Sequence, residues 1–136
     1  MELYELYDFA DENDIVVESF DLVRQPCFSI MDDDKNCFIA IDPMQLESVA
    51  DEKTKLAHEL GHCVRGAFYN RYTKFDDMRR HEYRADKWAI KKLLPKSDLE
   101  AALKDGMQLW ELAEKFEVTE DLIKKAMWIY FDKEIA

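Results

Sequence analysis

The chain has 136 residues, 48% of them apolar and 12% aromatic, so it can bury a core and is too apolar to be disordered. Its formal net charge of −11, from 19 Lys and Arg against 30 Asp and Glu, argues against partners that are bound through phosphates, namely nucleic acids and anionic membranes. No stretch reaches the roughly 20 apolar residues of a membrane span, and the acidic start "MELYELYDFADEND" lacks a signal-peptide layout. These features read as one cytoplasmic domain, residues 1–136.

In chain order, "LYELYDFADEND" reads as a first helix with Leu3, Leu6, Tyr7 and Ala10 on one stripe. "IVVESF" has the β-branched composition of a strand. "CFSIM" and "NCFIAI" read as a hairpin turning through "DDDK", residues 32–35. That register sets Met31 opposite Asn36, Ile30 opposite Cys37 and Cys27 opposite Ala40. Phe28, Ile30, Cys37, Ile39 and Ile41 would then share the face that covers a helix. Cys27 and Cys37 are not cross-strand neighbours, and an odd count of three cysteines reads as reduced thiols. Pro43 ends the second hairpin strand, which is taken as a sheet edge open to an added strand.

From Ser48 to about Arg65 the period becomes helical, with Val49, Leu56, Leu60 and Val64 as the apolar stripe and Gly66 as the stop. A second helix runs from about Asp76 to Leu94 and ends at Pro95. A helical extension follows from about residue 96, with Leu109, Leu112, Ala113, Phe116, Val118, Leu122, Ile123 and Met127 as core candidates. Strands early and helices late make an α+β fold.

The first of the long helices carries "HELGH". His58 and His62, two of only three histidines, lie four apart and so face one side of a helix, where both imidazoles can reach one ion. Zinc takes imidazole nitrogen in a tetrahedral shell. Glu59, turned about 100° away, cannot easily bind the same ion but can reach a water held by it, which is the arrangement of two ligands and a general base. A catalytic site needs a third ligand. Glu82 on the second helix can supply it, and Asp86, one turn later, can accept the far ring N–H of a ligand histidine. His81 is the rival third ligand, or else a donor to the oxyanion. Cys63 points off the metal face and reads as a small core residue. Tyr69, Tyr72 and Tyr83 are further oxyanion candidates among which spacing does not choose.

Together, "TKLAHELGHCVRG" and "HEYRADKWAIKKLLP" resemble the ImmA/IrrE family of metallopeptidases. The second segment is similar to that family's E-x-x-A-D/N-x-x-A-x-x-L-L-P pattern through Glu82, Ala85, Asp86, Ala89, Leu93, Leu94 and Pro95. The resemblance spans about residues 36–95. It implies a compact zincin-like fold with a small three-stranded sheet on the H-E-x-x-H helix, Zn2+ held by His58, His62 and Glu82, and Glu59 as base. It also implies a helix-turn-helix transcriptional repressor of a phage or mobile element as the protein substrate. "LAEKFEVTEDLIKKAM" itself looks like the start of a helix-turn-helix, with Glu117 where such turns usually carry Gly. Residues 96–136 hold 6 Lys against 10 Asp and Glu, so a packing role is expected in place of DNA reading. The expected function is therefore a zinc endopeptidase. The alternative is a binding module that sequesters a regulator, with a purely structural metal.

Overall fold

Ser48 and Gly66 delimit the helix around which the other elements are arranged. The Ser48 hydroxyl accepts from the Asp51 N–H at 3.0 Å, and Gly66 closes the helix in the left-handed region at φ 61°. The structure, a computed structural model, describes residues 1–66 and 74–135. Its elements are α1 (Leu3–Glu12), β1 (Val16–Ser19), β2 (Cys27–Met31), β3 (Cys37–Ile41), α2 (Val49–Arg65), α3 (Phe75–Leu93), α4 (Lys96–Lys104), α5 (Leu109–Phe116) and α6 (Glu120–Phe131). The architecture is α+β, with a small sheet followed by helices, as the sequence implies. Among the described residues no helix is long and apolar enough to cross a membrane.

The sheet corrects two expectations. Its order is β1-β3-β2, with β1 parallel and β2 antiparallel to β3, so β3 is the central strand and not an edge. The edges are β1 and β2. The hairpin register is also one residue away from the expected one: Met31 faces Cys37, Ile30 faces Phe38 and Cys27 faces Ile41. The turn explains the shift. Asp32 N–H donates to the Asn36 carbonyl at 3.0 Å, leaving a three-residue loop, and Lys35 takes the left-handed conformation at φ 65°. The Asp32 carboxylate fixes this loop by accepting from the Asp34 and Asn36 N–H groups, each at 2.9 Å. A slip of one residue turns every β2 side chain over. Cys27 is buried, Ile30 is exposed, and Cys27, Ser29 and Met31 share the face of Cys37, Ile39 and Ile41.

That face lies on α2. The buried residues of α2 include Lys53, Leu56, Ala57, Leu60, Gly61 and Cys63, whereas Val49 and Val64, expected on the stripe, are exposed. Cys37 and Cys63 are joined in a disulfide with Cα atoms 5.7 Å apart, which replaces the expectation of three reduced thiols and ties β3 to α2. Only Cys27 is free. α3 packs along α2 through its buried Ala85, Ala89, Ile90 and Leu93. At Gly61 the two helices leave no room for a side chain, since a Cβ would stand 2.6 Å from the Ala85 carbonyl oxygen.

The C-terminal helices dock on the same pair. Leu109, Leu112, Val118, Leu122, Ile123 and Met127 are buried, and Ala113 and Phe116 pack against them. Glu117 adopts φ 54°, the left-handed conformation that a Gly would take most easily. The turn between α5 and α6 faces α2. Lys53, a residue only 3% exposed, donates through its ammonium to the Phe116 carbonyl at 2.8 Å, and Thr119 N–H donates to the Thr54 hydroxyl at 3.1 Å.

Candidate metal centre

α2 and α3 bring His58, His62 and Glu82 to one point. One ligand atom from each lies within 4.8 Å of the others. His58 Nε2 is 2.9 Å from Glu82 Oε2, His62 Nε2 is 3.1 Å from Glu82 Oε1, and the two Nε2 atoms are 3.1 Å apart. Ligands bound at 2.0 to 2.1 Å in a tetrahedron would stand roughly 3.3 Å from one another. The three residues thus lie close enough to share a small dication, with one Glu82 oxygen facing each imidazole, and two facing imidazole nitrogens have few other uses. Among the described residues these three form the group that could hold a metal. His81, the rival ligand, stands outside it. Tyr69 and Tyr72 lie outside the described residues, and Tyr83 is 51% exposed on α3.

Asp86, one turn after Glu82, lies against the far side of His58. It accepts from His58 Nδ1 at 2.8 Å, which leaves Nε2 as the ligand atom, and from the Lys125 ammonium of α6 at 3.1 Å. Burial opposes a charge on His58, but the Asp86 and Glu82 carboxylates, with Glu59 nearby, outweigh it and push its pKa up to about 9. Hydrogen bonds from His58 and His62 hold the Glu82 carboxyl well below the usual range. Burial opposes ionisation of Asp86, yet His58 and Lys125 lower its pKa as well.

Two outcomes follow. Asp86→Ala is expected to weaken metal affinity about 10- to 100-fold, the usual size of such a loss. Competitive titration with a chromogenic chelator checks this, and an unchanged affinity would return Asp86 to the role of a surface charge. In chelator-treated protein, the raised His58 pKa contributes stability fully below 6.5 and loses it as pH rises through about 9. Glu82 and Asp86, shifted downward, act below this window. The melting temperature of stripped protein should therefore fall between pH 6.5 and 9, while metal-loaded protein, with His58 Nε2 occupied, should not follow. Parallel melts of the two forms decide it, and equal slopes would contradict it.

Glu59 points toward the sheet. Ser29 Oγ donates to its Oε1 at 2.6 Å, and the Cys27 thiol lies 3.7 Å from Oε2. Burial and the Glu59 charge push the Cys27 thiol up to about 12, so it stays a neutral donor and not a nucleophile. Glu59, His58, Glu82 and Asp86 line one open cleft of about 360 Å³. Ser29 is the site residue that sequence reasoning missed. The expected register placed it on the solvent face, and only the Asp32 turn signal could have corrected that.

A family model described as Peptidase_M78, the IrrE N-terminal-like domain, matches residues 14–127, most of the chain. The chain belongs to this family. Among curated proteins none matches. The IrrE-like match spans both helices of the metal group and reaches into α6, so it includes Lys125 as well as His58, His62 and Glu82. Membership supports a metallopeptidase type of activity, which agrees with the His-His-Glu convergence.

Proposed function

We propose that this IrrE-like chain is a zinc-dependent endopeptidase, with His58, His62 and Glu82 as ligands and Glu59 as general base. The observation that carries the reading is the convergence of the three ligand atoms beside a cleft that His58, Glu82 and Glu59 line. Zinc bound there would lower the pKa of a water in its shell and polarise the scissile carbonyl. Glu59 accepts a proton from the attacking water and passes it to the departing amine. Ser29 holds the Glu59 carboxylate in place through its 2.6 Å hydrogen bond. Asp86 keeps His58 in the tautomer that presents Nε2. The substrate enters as an extended segment added to the outer edge of β2, the strand that carries Ser29 beside Glu59. The resemblance to ImmA/IrrE proteins makes a helix-turn-helix repressor the first substrate to try.

The test is metal content together with cleavage. Purified protein should hold roughly one zinc per chain, and Glu82→Ala should lose both the zinc and proteolysis of the repressor. Full zinc retention in that variant would move the site elsewhere and sink the ligand assignment.

A further inference from the structure

The edge of β2 lacks the usual guards. Of the two edge strands, β1 carries Glu18, a charge of the kind that discourages an added strand. β2, "CFSIM", has neither a charged residue nor a proline, in a chain that is 36% charged. Among the described residues no strand lies along its outer side. The hairpin decides which of its main-chain groups face that side. Asp32 N–H donates to the Asn36 carbonyl at 3.0 Å, and Asp42 N–H to the Pro26 carbonyl at 2.7 Å. In an antiparallel pair, residues that exchange hydrogen bonds alternate with residues that do not. Pro26, Phe28, Ile30 and Asp32 therefore turn their main chain to β3, and Cys27, Ser29 and Met31 turn theirs to the open edge. Ser29 also holds Glu59 through its hydroxyl at 2.6 Å, so its outward N–H and carbonyl stand beside the proposed base.

On the face of the sheet away from α2, an apolar row runs to the same edge. Val16 lies beside Phe38 and Phe38 beside Ile30, across all three strands. Phe20 adds its ring 5.9 Å from that of Phe38. Ile30 ends the row 54% exposed, and Phe28, two residues before it on the same face, is half-buried. One exposed isoleucine is ordinary. A row of apolar side chains that stops at an unpaired edge offers a cross-strand position to a further strand.

We infer that the substrate strand pairs its main chain with Ser29 in the antiparallel sense, and that Phe28 and Ile30 select apolar side chains in it. The inference rests on the peptidase reading above and names the residues that choose its substrate. Antiparallel addition is the slightly more stable pairing. The substrate residue opposite Ser29 turns its side chain toward α2, as Ser29 does, and its two neighbours turn theirs to Phe28 and Ile30. The expected signature is a period of two: a pair of apolar positions separated by one residue, at a fixed distance from the bond to be cut.

Cutting and binding are measured separately. In the first arm, wild-type protein digests a mixed peptide library and the cut sites are aligned. The apolar pair should emerge, and Ile30→Glu at equal zinc content should turn one of its two positions toward Lys and Arg while leaving the other apolar. Cleavage without the pair, or a pair that ignores the substitution, removes the inference and leaves the peptidase reading intact. In the second arm, zinc-loaded Glu59→Gln protein is titrated against fluorescent peptides with Val or Asp at the two positions. Val should bind better by up to about fivefold at each position. N-methylation of the residue between them should cost about tenfold or more, and N-methylation of either Val much less. Equal binding of the Val and Asp peptides, or an equal cost at all three amides, would overturn the inference. Selective binding of the Val peptide with no cleavage by wild type keeps the edge and sinks the peptidase reading. Sedimentation of both proteins tests the rival occupant. A dimer that Ile30→Glu dissolves, with the cut sites unmoved, would give the edge to a second copy of this chain. Should Ile30→Glu fail to fold, Ile30→Thr is read in the same assays for loss of the apolar preference at that one position.

Discussion

Glu59→Gln is expected to keep its zinc and its fold and to lose about 10² to 10⁴ in the rate of substrate cleavage, the range that proton transfer usually supplies. The amide has nearly the shape of the carboxylate, and its carbonyl oxygen can still accept the Ser29 hydroxyl that now stands 2.6 Å from Oε1. It cannot take a proton from water. Position and chemistry are thus separated in one substitution, because Glu59 is outside the group formed by His58, His62 and Glu82. A sequestering module with a structural metal would behave otherwise, since it would silence its partner equally well with Gln at this position. The measurement sets partner fragments on a gel beside zinc content for both proteins. Equal silencing by both, with fragments from neither, would end the peptidase reading.

Gly61→Ala is expected to destabilise the protein by about 1–3 kcal/mol and to weaken metal binding at least about tenfold. Two effects oppose each other. Within a helix Ala is favoured over Gly by roughly 1 kcal/mol. The new Cβ, however, would lie 2.6 Å from the Ala85 carbonyl oxygen and 3.0 Å from the Ala85 Cα, and backbone cannot rotate aside as a side chain can. The clash should win, parting α2 from α3. Glu82 is one turn before Ala85, so the displacement reaches the one ligand that α3 supplies. A thermal melt of stripped protein isolates the packing cost, and zinc competition measures the ligand shift. An unchanged melting temperature with native affinity would mean that the helices yield without cost.

The site was more legible in the sequence than the sheet that supports it. Ser48 and Gly66 announce the ends of α2 through local chemistry, and the i, i+4 spacing of His58 and His62 needs nothing beyond the helix itself. Glu82 could be paired with them because the missing third ligand is a chemical demand. The hairpin register depended on a single left-handed residue, Lys35, and on the Asp32 carboxylate, neither of which leaves a hydrophobic pattern. An error of one residue there hid the Ser29 contact with Glu59 and set Phe28 and Ile30 on the helix side. The Cys37–Cys63 bond and the central place of β3 depend on how the sheet lies on α2, which no local spacing encodes. Lys53 was unreadable for a similar reason, since among the described residues its ammonium is met by a carbonyl 63 residues away.

That lysine bears on how the chain could be shortened. The signature around Glu82 ends at Pro95, an inviting place to cut a minimal catalytic fragment. Such a fragment would strip the Phe116 carbonyl from the ammonium of Lys53, a residue 3% exposed, and take Lys125 from Asp86. The first loss strands a charge inside the molecule, and the second loosens the carboxylate that orients His58. The α5–α6 turn and α6 therefore act as a buttress for α2, and residues 96–136 belong in any version of this protein meant to hold a metal at His58, His62 and Glu82.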